Sequence, residues 1–263
     1  MSQDVLKVLV LVPFPMRADQ LAKREAQRDE ANLPDRVQLH YQTTKAAPSN
    51  YVSAMDYVIA DIGLLEAGLA AEMDGFDAVC IDTVSDSGVA ALRSLLDIPV
   101  IAAGRAMFLT ALMLGRRFGV LSMWERWFGL YERTLRDLRI EDRCAGIRSI
   151  DTQPDSRNLL SGKEEDILPL LHEAALRLVE DDGADVICLG STTMHQAHEY
   201  LQERLPVPIL NPGPLSYLTA EITLALGLTQ SRKAYPSPLV SKTDMISEML
   251  AAAARSEQAT DRT

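Results

Sequence analysis

The sequence predicts an α/β fold in which parallel β-sheets build two similar lobes. Two observations support this prediction. Short apolar runs alternate with longer helical patterns along the 263 residues, which is the order expected of right-handed β-α-β units. The chain also repeats part of itself, so one such unit is expected twice. A chain of this length can form one large domain or two lobes of about 100–150 residues each.

Eight strands are predicted, and the first is typical of them. Its apolar run VLVLV at 8–12, like AVCI and VICL later in the chain, suits a parallel strand that is covered on both faces. The predicted strands span residues 7–12, 37–42, 77–82, 99–103, 118–122, 146–150, 185–190 and 207–210.

Helical patterns lie between these strands. Trp124, Trp127, Phe128 and Tyr131 form an aromatic stripe at helical spacing, which indicates a core face or an oligomer contact. The small, polar tail after Ala251 is expected to fray. The predicted helices span residues 51–73, 87–96, 105–114, 124–138, 163–180, 194–204 and 215–226.

An internal repeat relates two distant parts of the chain. DAVC at 77–80 matches DVIC at 185–188, and IPVI at 98–101 matches VPIL at 207–210. The residue offset between the two copies changes by only one, so the matches are ordered. A duplicated β-α-β-α unit predicts two lobes whose strand ends face one cleft.

The first of the two predicted lobes is discontinuous in sequence. Residues 1–103 with 213–263 are predicted to form the first lobe, and residues 104–212 the second.

Charge and composition exclude several classes of protein. The chain carries 26 Lys+Arg against 37 Asp+Glu, a formal net charge of −11, so a nucleic-acid partner is not expected. The longest apolar stretch, 98–114, is interrupted by Pro99, Gly104 and Arg105, so no membrane span is predicted. The first residues lack a signal-peptide pattern, and three cysteines make no disulfide framework. We expect a cytoplasmic protein.

Two hydroxyl-rich turns follow predicted strands at equivalent positions of the repeat. The first reads DTVSDSG at 82–88 and the second GSTTMH at 190–195, so that Thr83 corresponds to Ser191. A helix N-terminus offers free N–H groups, and nearby hydroxyls add donors, so the pair suits a carboxylate or a developing oxyanion. The alternative is that these side chains only cap helices.

Three further residues are candidates for acid–base or binding roles. Asp82 is a candidate general base if apolar walls raise its pKa, or else a solvated or salt-bridged aspartate. Arg105 is predicted to bind a substrate carboxylate or to pair with an acidic residue such as Asp82. His195 is a candidate acid or base, or else a surface imidazole. With His198 it shows no metal spacing, and no phosphate-binding loop is present, so neither a metal nor a nucleotide is expected.

The order of these segments resembles the aspartate/glutamate racemase superfamily, and most of all its hydantoin racemase branch. The resemblance covers about residues 6–235 and is carried by 77–93, 143–148, 182–194 and the closing segments near 208 and 226. It implies two Rossmann-like lobes with parallel sheets, a pseudo-twofold duplication and an active-site cleft between the lobes. It also implies a small-molecule substrate and no cofactor.

The resemblance implies chemistry by two cysteines, one from each lobe, but Thr83 and Ser191 stand at those two positions. Cys80 and Cys188 lie three residues earlier and are expected to be buried. Two-thiol racemisation is therefore not predicted. Thr83, Ser191, Asp82 and His195 are the predicted catalytic residues. The predicted substrate-binding residues are Phe14, Ser85, Arg105, Ser122, Thr192 and Thr193.

The predicted function is that of an enzyme on the racemase fold, with altered chemistry. It would act on a small carboxylate or a hydantoin-like cyclic amide through an enolate-like or tetrahedral oxyanion, as an isomerase, lyase or hydrolase. The alternative is a non-catalytic binding or accessory protein on the same fold. A homo-oligomer is expected.

Overall fold

A computed structural model describes residues 5–155 and 162–260, and it describes no side chains for residues 257–260. All eight predicted strands are present, with ends that differ by a few residues. They are β1 Leu6–Val12, β2 Val37–Thr43, β3 Ala78–Ile81, β4 Val100–Ala102, β5 Phe118–Ser122, β6 Cys144–Ser149, β7 Val186–Leu189 and β8 Ile209–Leu210.

The strands form two parallel sheets with the same strand order. The first sheet is ordered β2-β1-β3-β4 and the second β6-β5-β7-β8. Their registers correspond, because Val10 of β1 lies beside Cys80 and Val120 of β5 lies beside Cys188. The α/β fold with a duplicated parallel sheet is confirmed, whereas the lobe boundaries at 103/104 and 212/213 stay a prediction.

The helices include two that were not predicted. Helix α1, which includes Asp19 and Lys23, was missed because its sequence gave no apolar periodicity. The expected fraying after Ala251 is wrong because α9 continues to Thr260. Burial of Leu250, in a helix that contacts α2, stabilises this last helix. The helices are α1 Ala18–Glu25, α2 Ala54–Gly68, α3 Val89–Leu95, α4 Ala103–Leu114, α5 Phe128–Leu138, α6 Glu164–Glu180, α7 His198–Gln202, α8 Pro212–Ala225 and α9 Thr243–Thr260.

Alternation along β1 places side chains in two different cores. Leu9 and Leu11 pack with Leu64 of α2 on one face of the first sheet, while Val8 and Val10 pack with α8 on the other. Successive side chains of a strand point to opposite faces, and here both faces are covered by helices. This arrangement explains why the run is continuously apolar.

Two helices cross between the sheets. Helix α4 follows β4 of the first sheet, yet its Phe108 stacks on Phe118 of β5 with ring centroids 5.3 Å apart. Helix α8 follows β8 of the second sheet and packs its Tyr217 and Ala220 against the first sheet. The helices α4 and α8 also contact each other. Each follows a strand of one sheet and packs against the other sheet, so together they join the two sheets. Within 5–155 and 162–260, no helix combines the length and apolar character that a bilayer crossing requires.

In each sheet, the chain adds strands on both sides of the first strand, which is β1 in the first sheet and β5 in the second. Strand β1 lies between β2 and β3, and β5 lies between β6 and β7. In open parallel sheets, ligands bind beyond the carboxyl ends of strands at such switch points. A ligand site is therefore expected at the loops that leave β1, β3, β5 and β7.

Candidate active site

A small cavity of about 20 Å³ lies between the ends of the two sheets. Thr83 from the turn after β3 and Ser191 from the turn after β7 both line it, so the two repeated hydroxyls face one cavity. Its walls are mostly apolar, and its polar groups are hydroxyls and one guanidinium. The lining residues are Pro13, Phe14, Arg24, Tyr51, Thr83, Val84, Trp127, Leu130, Gly190, Ser191, Thr192 and Thr193.

The turn after β3 arranges three hydroxyls in a chain. The Thr83 hydroxyl lies 3.2 Å from Ser85 Oγ, which donates to Ser87 Oγ at 3.0 Å. Ser85 is buried and borders a separate depression outside the pocket. Ser85 therefore supports the Thr83 hydroxyl from behind, and the substrate contact predicted for it stays a prediction.

The turn after β7 is both a cap and a pocket wall. Ser191 Oγ accepts a hydrogen bond from the Thr193 backbone N–H at 3.2 Å and lies 2.8 Å from Thr193 Oγ1. It thereby caps the 3₁₀ turn Thr192–Ala197. The capping alternative is thus correct for Ser191, and the same side chain also borders the cavity.

Arg24 bridges the two turns, and it was not predicted. Helix α1 delivers its guanidinium, whose Nε lies 2.5 Å from Asp82 Oδ2. Its Nη2 donates to the Asp82 carbonyl oxygen at 2.9 Å and to Thr192 Oγ1 at 2.7 Å. The residue is only 2% exposed. Its third nitrogen, Nη1, is buried and has no hydrogen-bond partner among the residues described.

The Asp82 carboxylate pairs with the Arg24 guanidinium and holds it in place. The Asp82 side chain is fully buried and also accepts hydrogen bonds from Gln27 Nε2 at 3.2 and 3.3 Å. Both carboxylate oxygens are therefore occupied, and the geometry does not support the predicted role of Asp82 as a general base. Of the alternatives, the salt-bridged aspartate is the one found.

Arg105 lies in the separate depression outside the pocket. The alternative that it pairs with an acidic residue is correct, but its partners are Asp86 and Asp137 instead of Asp82. Its Nε donates to Asp86 Oδ2 at 2.9 Å and its Nη2 to Asp137 Oδ2 at 2.9 Å. Asp82 is already bound by Arg24. Burial raises the pKa of Asp86 even though the Arg105 guanidinium and the Gly104 backbone N–H act to lower it. The substrate contact predicted for Arg105 stays a prediction, and Arg105 lines this depression together with Ser85.

His195 is buried and turned away from the pocket, so the surface-imidazole alternative is wrong. Its Nδ1 lies 2.8 Å from Glu30 Oε1, and Asn211 Nδ2 donates to Glu30 Oε2 at 2.7 Å. Burial acts to raise the pKa of Glu30, but hydrogen bonds from His195 and His198 outweigh it and lower the pKa to about 2. His195 therefore forms part of a carboxylate–imidazole cluster behind the site. In the described segments, no group of three or more His, Cys, Asp or Glu could hold a metal ion.

Ser122 also lies behind the pocket wall. It is fully buried, lies 2.9 Å from the Tyr131 hydroxyl and donates to the Trp124 carbonyl oxygen at 3.1 Å. A Cβ at Gly190 would lie 2.5 Å from the Tyr131 hydroxyl oxygen. Gly190 thus allows close packing of the second turn on Tyr131, and Ser122 holds that tyrosine instead of a substrate.

The strand cysteines are buried, as predicted. Cys80 and Cys188 are fully buried, and Cys80 Sγ lies 3.5 Å from the Ser216 carbonyl oxygen. Burial raises the pKa of Cys80 to about 12 and that of Cys188 well above its ordinary value. Neither thiol is available as a thiolate near neutral pH.

Aromatic residues form the outer wall of the pocket. Phe14 packs edge-on against Tyr51 with centroids 5.5 Å apart, and Trp127 Nε1 donates to Asn50 Oδ1 at 2.7 Å. The Tyr51 hydroxyl is buried and has no hydrogen-bond partner within the described part of the chain. Burial raises the pKa of Tyr51, so its hydroxyl stays protonated and can donate.

Comparisons with known proteins agree with this architecture. A sequence model of the Asp/Glu/Hydantoin racemase family matches residues 20–216. Hydantoin racemase from Pseudomonas sp. (strain NS671) is 28% identical over 195 residues, covering 74% of this chain and 77% of that protein.

Two solved structures share the fold. Allantoin racemase from Klebsiella pneumoniae superposes with a TM-score of 0.80 at 23% identity, covering 90% of this chain and 95% of the other. Maleate isomerase from Pseudomonas putida S16 gives a TM-score of 0.61 at 15% identity, with 86% and 94% covered.

Proposed function

The chain belongs to the Asp/Glu/Hydantoin racemase family, and from this premise we propose that it is an enzyme acting on a small carboxylate or a hydantoin-like cyclic amide. The reaction passes through an enolate-like or tetrahedral oxyanion held between the two hydroxyl turns. The observation that carries this proposal is that Thr83 and Ser191 face one pocket from equivalent positions of the repeat.

The donors of this pocket suit a substrate oxygen that gains negative charge. Hydroxyls fixed by neighbouring hydrogen bonds need no reorganisation when that charge develops, and the apolar walls strengthen their effect. Ser85 positions Thr83, and the Thr193 backbone positions Ser191. Isomerisation, decarboxylation, C–N cleavage and hydrolysis all create such an oxygen, and a fold alone does not choose among them.

Proton transfer by two thiols is not part of the proposal. The described lining residues include no thiol, and burial keeps Cys80 and Cys188 protonated. Those lining residues also include no carboxylate and no imidazole. This last feature favours, as a second candidate function, a non-catalytic protein that binds the same small molecules.

Turnover separates the two candidates. The protein is incubated in deuterated buffer with hydantoins, malonates and cyclic imides, and mass spectrometry measures product formation and deuterium uptake. Thr83→Ala and Ser191→Ala should each reduce turnover about 100–1000-fold, which is typical of removing one oxyanion donor. Circular dichroism checks that both variants fold.

Two results would contradict the proposed function. Binding without turnover of any compound would favour the accessory protein. Full turnover in both alanine variants would show that the two hydroxyls are not required for the reaction.

A further inference from the structure

The separate depression beside the turn after β3 has the size of a small-molecule site. Its volume is about 700 Å³, within the range of roughly 300–1,000 Å³ that such sites span. Helices α2 and α3, which pack on the first sheet, form part of its wall, and α5, which packs on the second sheet, forms another part. Both halves of the fold therefore contribute to it. Its charged lining residues are Asp61, Asp86, Arg105, Arg133, Arg136 and Asp137.

The carboxylates in this lining already accept hydrogen bonds from the protein. The Asp86 side chain is 4% exposed and accepts from Arg105 Nε and from a backbone N–H of α4, both at 2.9 Å. Asp137 Oδ2 accepts from Arg105 Nη2 at 2.9 Å. Asp61 Oδ1 accepts from the Gly88 backbone N–H at 2.9 Å. A cationic ligand would have to compete with these donors.

The guanidinium groups of α5, by contrast, keep free donors. Arg136 donates its Nε to the Glu132 carbonyl oxygen at 3.2 Å, and its two terminal nitrogens have no hydrogen-bond partner among the described residues. Arg133 reaches Asp61 only at 3.4 Å and lies over the Tyr57 ring, 5.2 Å from its centroid. Because Arg133 and Arg136 are three residues apart on one helix, they lie on the same face of it.

These free donors favour an oxyanion as the ligand. Arg136 has no carboxylate partner in the described part of the chain, whereas Arg105 and Arg133 each have at least one. A guanidinium offers paired N–H groups that match two oxygens of a phosphate or a carboxylate. The lining also includes Val89 and Ala91, whose apolar side chains suit the organic body of such an anion.

We propose that this depression is a second binding site, which takes a small organic molecule through a phosphate or carboxylate group held by Arg133 and Arg136. The site is distinct from the pocket of Thr83 and Ser191, so the inference does not rest on the proposed function. A ligand bound here would contact both halves of the fold, and it would stabilise the folded protein because it binds only that state.

Isothermal titration calorimetry tests the site with two probes, pyrophosphate and citrate, in a phosphate-free buffer of low ionic strength. At least one probe should bind the wild-type protein with a Kd below about 1 mM. The melting temperature should rise with the concentration of that probe. Tighter binding of pyrophosphate would assign the site to a phosphate group, and tighter binding of citrate would assign it to a carboxylate.

Variants of α5 locate the bound anion. Arg136→Gln should weaken binding of the probe about 10–100-fold, as expected for lost hydrogen bonds from a charged group. Arg136→Lys keeps the charge but not the paired donors, so it should restore only part of the affinity. Arg133→Gln is an independent second variant. Arg177→Gln is the matched control, because Arg177 is 48% exposed against 43% for Arg133 and pairs with an acidic residue on α6, outside the depression.

Three outcomes would overturn the inference. The first is that neither probe binds the wild-type protein at about 10 mM. The second is that Arg177→Gln weakens binding as much as Arg133→Gln and Arg136→Gln, because the probe would then respond only to overall charge. The third is that Ser191→Ala abolishes binding of the probe, which would place the anion in the other pocket. Absence of turnover with every substrate would contradict the proposed function alone, since these measurements need no reaction.

Discussion

Replacing Arg24 should destabilise the protein far more than replacing an arginine in an ion pair that is only partly buried. Arg24 and Asp82 form a buried pair whose side chains are 2% and 0% exposed. In Arg24→Met the Asp82 carboxylate stays buried without its counterion. Breaking a buried pair in this way typically costs about 3–5 kcal/mol, which is a large part of the roughly 5–15 kcal/mol that stabilises a typical protein.

Urea unfolding followed by circular dichroism measures this loss. With a denaturant slope of about 2–3 kcal/mol per molar urea, a loss of about 4 kcal/mol moves the midpoint down by roughly 1.3–2 M. Arg148→Met is the control, because Arg148 and Asp182 are 31% and 22% exposed. Exposed pairs contribute about 0–1 kcal/mol, so its midpoint should move by less than about 0.5 M.

A double variant isolates the cause. In Arg24→Met/Asp82→Leu no buried charge is left, and apolar replacement of a buried pair is often close to neutral. The double variant should therefore be more stable than Arg24→Met alone. The reasoning is refuted if Arg24→Met and Arg148→Met lower the urea midpoint equally, or if the double variant is the least stable of the three.

Three further predictions follow from burial and backbone geometry. Alkylation of the native protein should leave activity intact, because burial protects Cys80 and Cys188; complete inactivation traced by mass spectrometry to either residue, without unfolding, would contradict this. The pKa of Glu30 is lowered to about 2 in the folded state, so its contribution to stability is complete above its ordinary pKa and is lost as the pH falls toward 2. In Glu30→Gln, the urea midpoint should fall less steeply as the pH is lowered toward 2. An unchanged slope would show that the carboxylate–imidazole cluster does not contribute to acid unfolding. Gly104→Ala should lower the melting temperature by several degrees, because its Cβ would overlap a backbone carbonyl oxygen in the turn after β3. Gly129→Ala, whose Cβ would make only ordinary contacts, serves as the control.

The secondary structure that faces the cores was largely predictable. Continuous apolar runs such as 8–12 predict parallel strands because both faces of the first sheet are covered by helices. Helices α1 and α9 were missed because their burial depends on partners from elsewhere in the chain. The sequence 18–25 mixes five charged or polar residues with Ala18, Leu21 and Ala22 and shows no clear apolar face, and only the site explains why Arg24 is buried there.

The candidate site was predictable in part, since Thr83, Ser191, Phe14, Thr192 and Thr193 of the predicted residues line the pocket. Thr83 and Ser191 were found because two copies of one unit place equivalent residues at equivalent strand ends. The partners of charged side chains were not predictable, because an ion pair depends on proximity in space. Asp82 pairs with Arg24 across 58 positions and Arg105 with Asp86 across 19, and nothing in their local sequence distinguishes these choices.

The sequence alone determined the α/β class, the duplicated parallel sheets, the burial of Cys80 and Cys188, and the two hydroxyl turns, because local periodicity and an ordered repeat encode these features. The tertiary structure alone decided which charged side chains reach the pocket and which predicted polar residues do not. Arg105, Ser122 and His195 do not line the cavity, since the side chain of each forms a polar contact with another residue outside it. The tertiary structure placed Arg24 there instead, because the cost of burying a charge is met only where a fold supplies the counterion.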